Sequence, residues 1–472
     1  MKPLYKLTLA AAALTLAGCA TVSPDGNASD LNALTSGKTA GVTAQVALAH
    51  TASTREAVDK LLGQPITAES AVRIALLNNP GLHASMATLG ISDADRVQAG
   101  TLPNPHFSIG RFIEGDAVEI ERMLKFNIVG LLTMPWRAQW QGQQHELAKL
   151  QAAQEVIKLA ADTRKAWINA VAAQQTAVYM EDVKLAAEAG GELARRMARV
   201  GNWSRLEQAR EQVFLADAVT QLSRSQQAAF SEREKLIRLM GLWGQQMQFK
   251  LLDRLPDVPK APQEINNIEE RALRDRLDVR STVAESGYVA NSLGLVKASG
   301  FVNALDIGYT RSTTFDNATG DKSTRKGWEL EFPIPIFDWG DANNARAQSV
   351  YMQSVARVRQ TAINARSEAR EAYHGYRTAY DVAVHYRDEV VPLRKFISDE
   401  VFLRYNGMLL SVFDLLGDMR ANITAVNSAI EAQRDFWLAD ADLQTTLTGT
   451  SAGGLSGMKA SAGGGGEAKA GH

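Results

Sequence analysis

The chain is written twice. Residues 68–241 and 270–449 follow one plan: a helical stretch, two short alternating segments around a polar turn, a very long helix, a glycine break and a final helix. Self-similarity on this scale means two copies of one structural unit that stack to share a core. The repeated unit inserts strands into a set of long rods, which excludes a compact single-core domain.

Composition then narrows the class. The 472 residues carry a formal net charge of -1, so nothing marks the chain for nucleic acid. The histidines are scattered, without ligand spacing. The single cysteine, Cys19, has a specific setting. Lys2 and Lys6 form a basic start, Leu7 to Ala17 is a short apolar run, and Leu16-Ala17-Gly18-Cys19 follows. The run is too short to span a membrane and reads as a signal peptide over 1–18. Small residues before a cysteine resemble a bacterial lipobox, which implies cleavage before Cys19 and covalent lipid on it. Ala20 follows rather than an aspartate, which favours the outer membrane. Residues 19–65 read as the lipidated N-terminus and an extended strap, and 450–472 as a disordered tail.

Helix signals are regular through 66–449, with repeat 1 at 66–243 and repeat 2 at 264–449. Thr67 is an N-cap with Ser70 three residues on, and its helix is expected to run to about Gly100. A second is expected from about Ala138 to Val200, interrupted only at Gly190-Gly191, and a third from Ser204 to Met240. Repeat 2 predicts Glu269 to Ser299, Asp341 to Tyr405 with a kink at Pro392, and Ser411 to Leu447. Residues 138–200 would span ~95 Å. The two shorter helices of each repeat add to nearly the same length. Each chain thus supplies four rods, two continuous and two made of stacked pairs. Val355, Ala362, Ala369 and Tyr376 recur every seven residues, as do Leu150, Ile157, Val171, Val178 and Leu185 with Arg164 in the missing step. Sustained sevens predict coiled-coil packing.

The segments between the helices change the reading. Val118, Ile120, Leu124, Phe126 and Ile128 alternate with Glu119, Glu121, Lys125 and Asn127, and only Arg122 spoils the apolar face. Phe107, Ile109 and Ile113 precede them across Glu114-Gly115-Asp116. In repeat 2, Trp328, Leu330, Phe332, Ile334 and Ile336 oppose Glu329 and Glu331, with Leu305, Ile307 and Tyr309 as partner. Strands are therefore expected at about 104–113, 117–128, 301–314 and 324–336, each long enough for a tilted membrane strand. One apolar and one charged face suit a barrel with lipid outside and water inside. Four strands cannot close a barrel, and an open edge cannot sit in lipid. Two chains would give a filled eight-stranded barrel, whereas three give twelve strands around a channel. The predicted fold class is mainly α with a transmembrane β-barrel contribution: a long antiparallel α-helical barrel plus four membrane strands per chain, closing as a 12-strand, 12-helix homotrimer.

At this point the chain resembles the TolC-type outer membrane factors, in their lipoprotein branch. Ala75-Leu76-Leu77-Asn78-Asn79-Pro80 resembles the family's first-helix motif, and Ala272 to Val279 its second copy. Leu102-Pro103-Asn104-Pro105 resembles the entry to the first strand, and Phe332 to Gly340 the return into the second long helix. Gly201 to Glu207 and Gly407 to Asp414 resemble the periplasmic turns. The resemblance covers about 66–449. It implies a trimeric exit duct of a tripartite efflux or secretion system, passive itself and served by a periplasmic adaptor and an inner-membrane pump. It also implies a gate of aspartates after the second turn. Asp414 matches the first such position, while the next acid falls on Gly417, with Asp418 one residue beyond. The turn at Gly407 reads as one residue longer than its twin at Gly201. The adaptor-contact turns would be Gly201, Asn202, Gly407 and Met408.

No catalytic pattern survives. His145-Glu146 starts like a zinc-protease helix, but position 149 is Lys. Gly37-Lys38-Thr39 resembles the end of a P-loop, but residue 32 is Asn and no strand precedes it. The expectation is a non-enzyme without cofactor, apart from the lipid on Cys19, anchored in the outer membrane and reaching into the periplasm. Two other readings are a non-pore periplasmic coiled-coil scaffolding lipoprotein and, for want of a site, more remotely an envelope enzyme. The transported cargo is not written in these residues.

Overall fold

A computed structural model of the chain describes residues 21–39, 52–299, 305–332 and 340–449. The expected signal peptide, Cys19 and the tail at 450–472 lie outside the described residues, as do 301–304 and 333–336 of the expected strands.

Repeat 1 is preceded by α1 (Ala28–Thr35) and α2 (Ala52–Leu62). It contains α3 (Ala68–Asn78), α4 (Pro80–Ala99), β1 (His106–Glu114), β2 (Ala117–Asn127), α5 (Ile128–Arg199) and α6 (Arg205–Met240). Repeat 2 contains α7 (Ile268–Asp275), α8 (Leu277–Ser299), β3 (Asp306–Asp316), β4 (Lys322–Glu331), α9 (Asp341–His385), α10 (Val391–Asn406) and α11 (Val412–Thr448). The order expected from the duplication is met. The strands form one antiparallel sheet in the order β1-β2-β3-β4.

Several boundaries differ from expectation, each for a local reason. The expected strap is not wholly extended, since α1 and α2 lie within it. The Asp25 carboxylate accepts hydrogen bonds from the Asn27 and Ser29 N–H groups and starts α1. Leu31 and Val58 are buried and hold α1 and α2 down. The first helix of each repeat is broken. Asn79 turns extended (ψ 118) because the Pro80 ring disfavours a helical predecessor. Arg276 takes the same conformation (ψ 130) at the matching place. α5 starts ten residues before Ala138 and contains Pro135. The Ile128 N–H still donates to the Leu305 carbonyl at 2.8 Å, so the sheet ladder runs straight into the helix.

Gly190-Gly191 do not interrupt α5; a Cβ on Gly190 would lie 3.4 Å from Leu416, so this glycine serves close helix contact. The heptad also slips. Ile157 and Val171 are buried, but Val178 and Leu185 are exposed, and the buried series passes to Met180, Ala187 and Ala194. A straight helix drifts from a strict seven-residue repeat by about 20° per heptad, which moves the buried stripe. The break expected at Pro392 is present as a widened π turn, Tyr386–Val390, with Pro392 in the first turn of α10. The ring would strike the carbonyl four residues back, Asp388, in a regular helix.

Two contact units divide the chain. One comprises the described parts of Met1–Leu34, His83–Ala153 and Val279–Thr361 and holds the sheet. In it Trp140 stacks on Tyr288, with centroids 5.5 Å apart. The N-terminal segment is held by a buried polar cluster. The Ser23 N–H donates to Asp93 Oδ2 (2.7 Å), Arg96 donates to Asp93 Oδ1 (2.7 Å), and His145 Nε2 lies 3.3 Å from Asn27 Oδ1. Burial acts to raise Asp93, yet Ser23 and Arg96 outweigh it and hold the carboxyl below its usual range. Burial pushes His145 down. His145 and Glu146, the abortive protease motif, thus secure α1, with Lys149 bridging Asp30 and Glu146.

The second unit comprises the described parts of Thr35–Leu82, Gln154–Asp278 and Ala362–His472. Its larger core gathers Val58, Ile74, Trp167, Val171, Leu236 and Met240. A second core packs Ala369, Tyr376 and Phe436 from α9 and α11. The stacked pairs expected from helix length meet here. Asn78 Nδ2 donates to the Met240 and Gly241 carbonyls (3.0 and 2.8 Å), and Asn79 Nδ2 donates to Leu239 (2.8 Å). These bonds satisfy helix-end carbonyls that otherwise lack partners. Gly241 has φ 66, and a Cβ there would meet the Asn78 carbonyl at 2.6 Å, so the splice requires glycine. In repeat 2 the Leu277 N–H donates to the Gly449 carbonyl (3.2 Å) instead. Beside it, the buried Arg276 guanidinium pairs with Asp278 (2.6 Å) and Glu368 (2.8 Å). Arg164, which fills the heptad gap, is part of this unit. Burial raises the Asp440 carboxyl, with Arg164 acting against it.

Candidate functional site

The sheet's two faces follow from its register. β1 pairs Phe107 with Leu124 and Ile113 with Val118. β2 pairs Leu124 with Tyr309 and Phe126 with Ile307. β3 pairs Tyr309 with Trp328 and Ile307 with Leu330. Because side chains alternate, all of these share one face. They are unsatisfied as a soluble surface: Trp328 is 75% exposed and Phe107 65%. The opposite face carries Glu119, Glu121, Lys125, Asp306, Glu329 and Glu331, with ion pairs from Lys125 to Asp306 (3.4 Å) and to Glu331. Ser312 donates to Glu119 on the same side. Pairing runs from one repeat to the other through β2 and β3, and the Asn317 N–H donates to the Asp116 carbonyl (3.0 Å), tying the two hairpin turns together. β1 and β4 are left as the sheet's edges within the chain.

The helix turns lie in the other unit. The link between α5 and α6 is Val200 to Ser204, and that between α10 and α11 is Gly407 to Ser411. The two are equal in length, so the extra residue expected at Gly407 is absent. The left-handed residue is Gly201 (φ 80) in the first and Met408 (φ 58) in the second. Their hydrogen bonds coincide. The Gly201 and Met408 N–H groups donate to the carbonyls three residues back (3.1 and 3.0 Å). The Asn202 and Leu409 N–H groups donate to those five residues back (2.9 and 2.8 Å). Gly201 therefore corresponds to Met408, and Gly407 stands one place earlier. Methionine is a residue that sequence reading does not assign to positive φ.

Each following helix starts with a reciprocal cap, Ser204 with Glu207 and Ser411 with Asp414. The Ser411 hydroxyl and N–H donate to Asp414 Oδ2 (2.7 and 3.1 Å) and hold the exposed carboxyl below its usual range. Asp418 lies one turn on, on the same helical face, and its Oδ2 is buried without a hydrogen-bond partner among the described residues. Between the turns Trp203 stacks on Phe413, with centroids 4.5 Å apart, in a small core with Ala194 and Leu416. Arg420 donates to the buried Glu211 (2.6 Å) and covers the Phe214 ring at 4.5 Å. Sequence reading missed Trp203–Phe413 and Arg420–Glu211, which the periodicities do not bring together. Met408 and Leu409 face outward, 93% and 76% exposed.

Among the described residues no group of three or more His, Cys, Asp or Glu is placed to hold a metal ion. No described helix is long and apolar enough to cross a membrane.

Solved structures share this architecture. The outer-membrane channel OprN matches with TM-score 0.66 at 16% identity, covering 83% of this chain and 91% of that one. The CmeC outer membrane channel of Campylobacter jejuni matches with TM-score 0.63 at 15% identity, over 84% and 85%. The MtrE outer membrane channel of Neisseria gonorrhoeae, in its open state, matches with TM-score 0.65 at 17% identity, over 81% and 89%. The chain has the fold of these outer membrane channels, as the sequence resemblance leads one to expect. No protein-family model and no curated protein sequence matches it.

Proposed function

We propose that the chain is an outer membrane exit duct, conducting substrate passively from the periplasm to the exterior in a tripartite efflux or secretion system. The observation that carries this is the sheet: one exposed apolar and aromatic face, one charged face and two unpaired edges, in a chain with an outer-membrane-channel fold. An open edge in lipid leaves backbone groups unsatisfied, so β4 of one chain pairs with β1 of the next. Three chains supply twelve strands, enough for an aqueous interior, and the matching number of rods. A soluble scaffolding coiled coil gives no reason for Trp328 and Phe107 to face outward. Among the described residues no His, Cys, Asp and Glu group is placed for metal chemistry, and the reading is of a non-enzyme acting without a cofactor.

The energy comes from partners: an inner-membrane pump and a periplasmic adaptor. The adaptor docks at the turns containing Gly201, Asn202, Gly407 and Met408. Lipid on Cys19 adds an anchor in the outer membrane. Asp414, with Asp418 behind it, lines the periplasmic constriction, where three symmetry copies repel one another and attract cations. Purified protein should give heat-sensitive oligomer bands and conductance in planar bilayers. Asp414→Ala should raise single-channel conductance or lift block by divalent cations. Release from membranes on removal of the lipid anchor alone, or absence of conductance, would defeat the duct. Unchanged conductance and block in the variant would defeat only the gate.

A further inference from the structure

Arg122, the one residue that spoiled the apolar strand pattern, is not alone. It pairs across the ladder with Arg311, and Arg311 pairs with Lys326. The three cations form a straight row over β2, β3 and β4, spanning about 10 Å at the spacing of adjacent strands. Arg111 lies on the same face one row nearer the hairpin turns, opposite Ile120. All four are exposed. The register puts every acidic side chain of the four strands on the opposite face. Charge is thus sorted by face and by height. From the row toward the helices, the apolar face carries Phe107, Leu124, Tyr309 and Trp328, then Phe126, Ile307 and Leu330. From the row toward the hairpin turns it carries cations and threonines among aliphatic residues, up to Lys322 over the Phe315 ring at 5.1 Å.

A cation on the lipid face is strongly disfavoured among acyl chains and tolerated only near the interface. Three in one row, with no acid on that face, need an anion from outside the protein. Guanidinium groups side by side suit phosphate oxygens, which they grip through paired N–H donors. We propose that Arg122, Arg311 and Lys326, with Arg111 above them, form a binding row for the phosphorylated headgroup of a lipid in the leaflet on the hairpin-turn side. The row thereby fixes the depth of the sheet in the membrane: apolar and aromatic rows in the acyl chains, cations at the phosphates. This inference rests on the duct reading, which places these strands in a membrane.

The test uses the full-length protein in neutral detergent and native mass spectrometry with bis-phosphorylated lipid A as the probe. Wild type should retain this lipid, and R122Q/R311Q/K326Q should bind it on the order of 100-fold more weakly. Arg325→Gln, the neighbouring charge on the opposite face, should bind as wild type. Dephosphorylated lipid A should bind wild type as weakly as the phosphorylated form binds the triple variant. Equal binding of the two lipids, or unchanged binding by the triple variant, overturns the proposal. Displacement by millimolar inorganic phosphate would show a free-anion site and overturn it too. If the triple variant fails to assemble, Arg311→Gln and Lys326→Gln singly should each weaken binding on the order of fivefold, and no change in either overturns it. Conductance of wild type in neutral vesicles separates the two readings. Its absence removes the duct and this site together, whereas intact conductance without phosphate-dependent binding removes this site alone.

Discussion

The two helix turns, Val200 to Ser204 and Gly407 to Ser411, have the same backbone and different side chains. Both close with the same pair of hydrogen bonds and open the next helix with the same reciprocal cap. Yet the first turns its large residue inward, with Trp203 only 8% exposed, while the second presents Met408 and Leu409 to solvent. Duplication preserved what the chain needs in order to reverse direction. Divergence then gave one turn to packing and the other to the surface.

That contrast is open to breakage in order of size. Trp203→Ala should cost about 3–5 kcal/mol locally, since it removes the ring from the core of both turns. Hydrogen exchange should show amides near both turns losing protection together, and loss confined to the first turn would refute the shared core. Gly201→Ala should destabilise by about 1–2 kcal/mol, because open space surrounds the site and backbone strain is the main term. Met408→Gly should stabilise by a similar amount, and thermal unfolding of the pair should show opposite signs. Equal signs would mean that the positive φ of Met408 carries no strain. Ser204→Ala and Ser411→Ala should each cost about 1 kcal/mol. A gap larger than that between them would mean that the caps are not equivalent.

The smallest effect is electrostatic. The Asp414 carboxyl lies below its ordinary value of 3.8 because Ser411 hydrogen-bonds it. A depressed folded pKa adds stability above the unfolded value, and that stability is lost as pH falls through the folded one. The second turn should therefore loosen below about pH 3.8, and Asp414→Asn should remove that pH dependence. Exchange rates at Val412 to Leu415 across pH 2.5–5 would measure it.

Much of this was legible before the structure. Thr67 with Ser70 named a cap, and alternation of Phe107, Ile109 and Ile113 named a strand, because both signals are local. The match of Gly201 to Gly407 failed because the eye aligns glycine with glycine, whereas hydrogen bonding aligns Gly201 with Met408. Val178 and Leu185 kept the heptad in sequence but not in space, since seven residues do not make two whole turns. The row of Arg122, Arg311 and Lys326 was invisible for another reason. It exists only once β2 pairs with β3, and no local pattern sets that register across so many residues.

The same pairing orders events in time. The splice of α3 onto α6 joins Asn78 to Gly241, so both partners of that splice exist as soon as that glycine has been made, although the core beside it still awaits Ile430 of α11. β1 and β2 at that stage are only a hairpin, and an isolated hairpin in water is marginal at best. Their third strand begins at Asp306. A chain made only this far thus carries a spliced helix pair and an unfinished sheet, and both wait for repeat 2. Its greasy surface consolidates late, when the second copy arrives to receive the first.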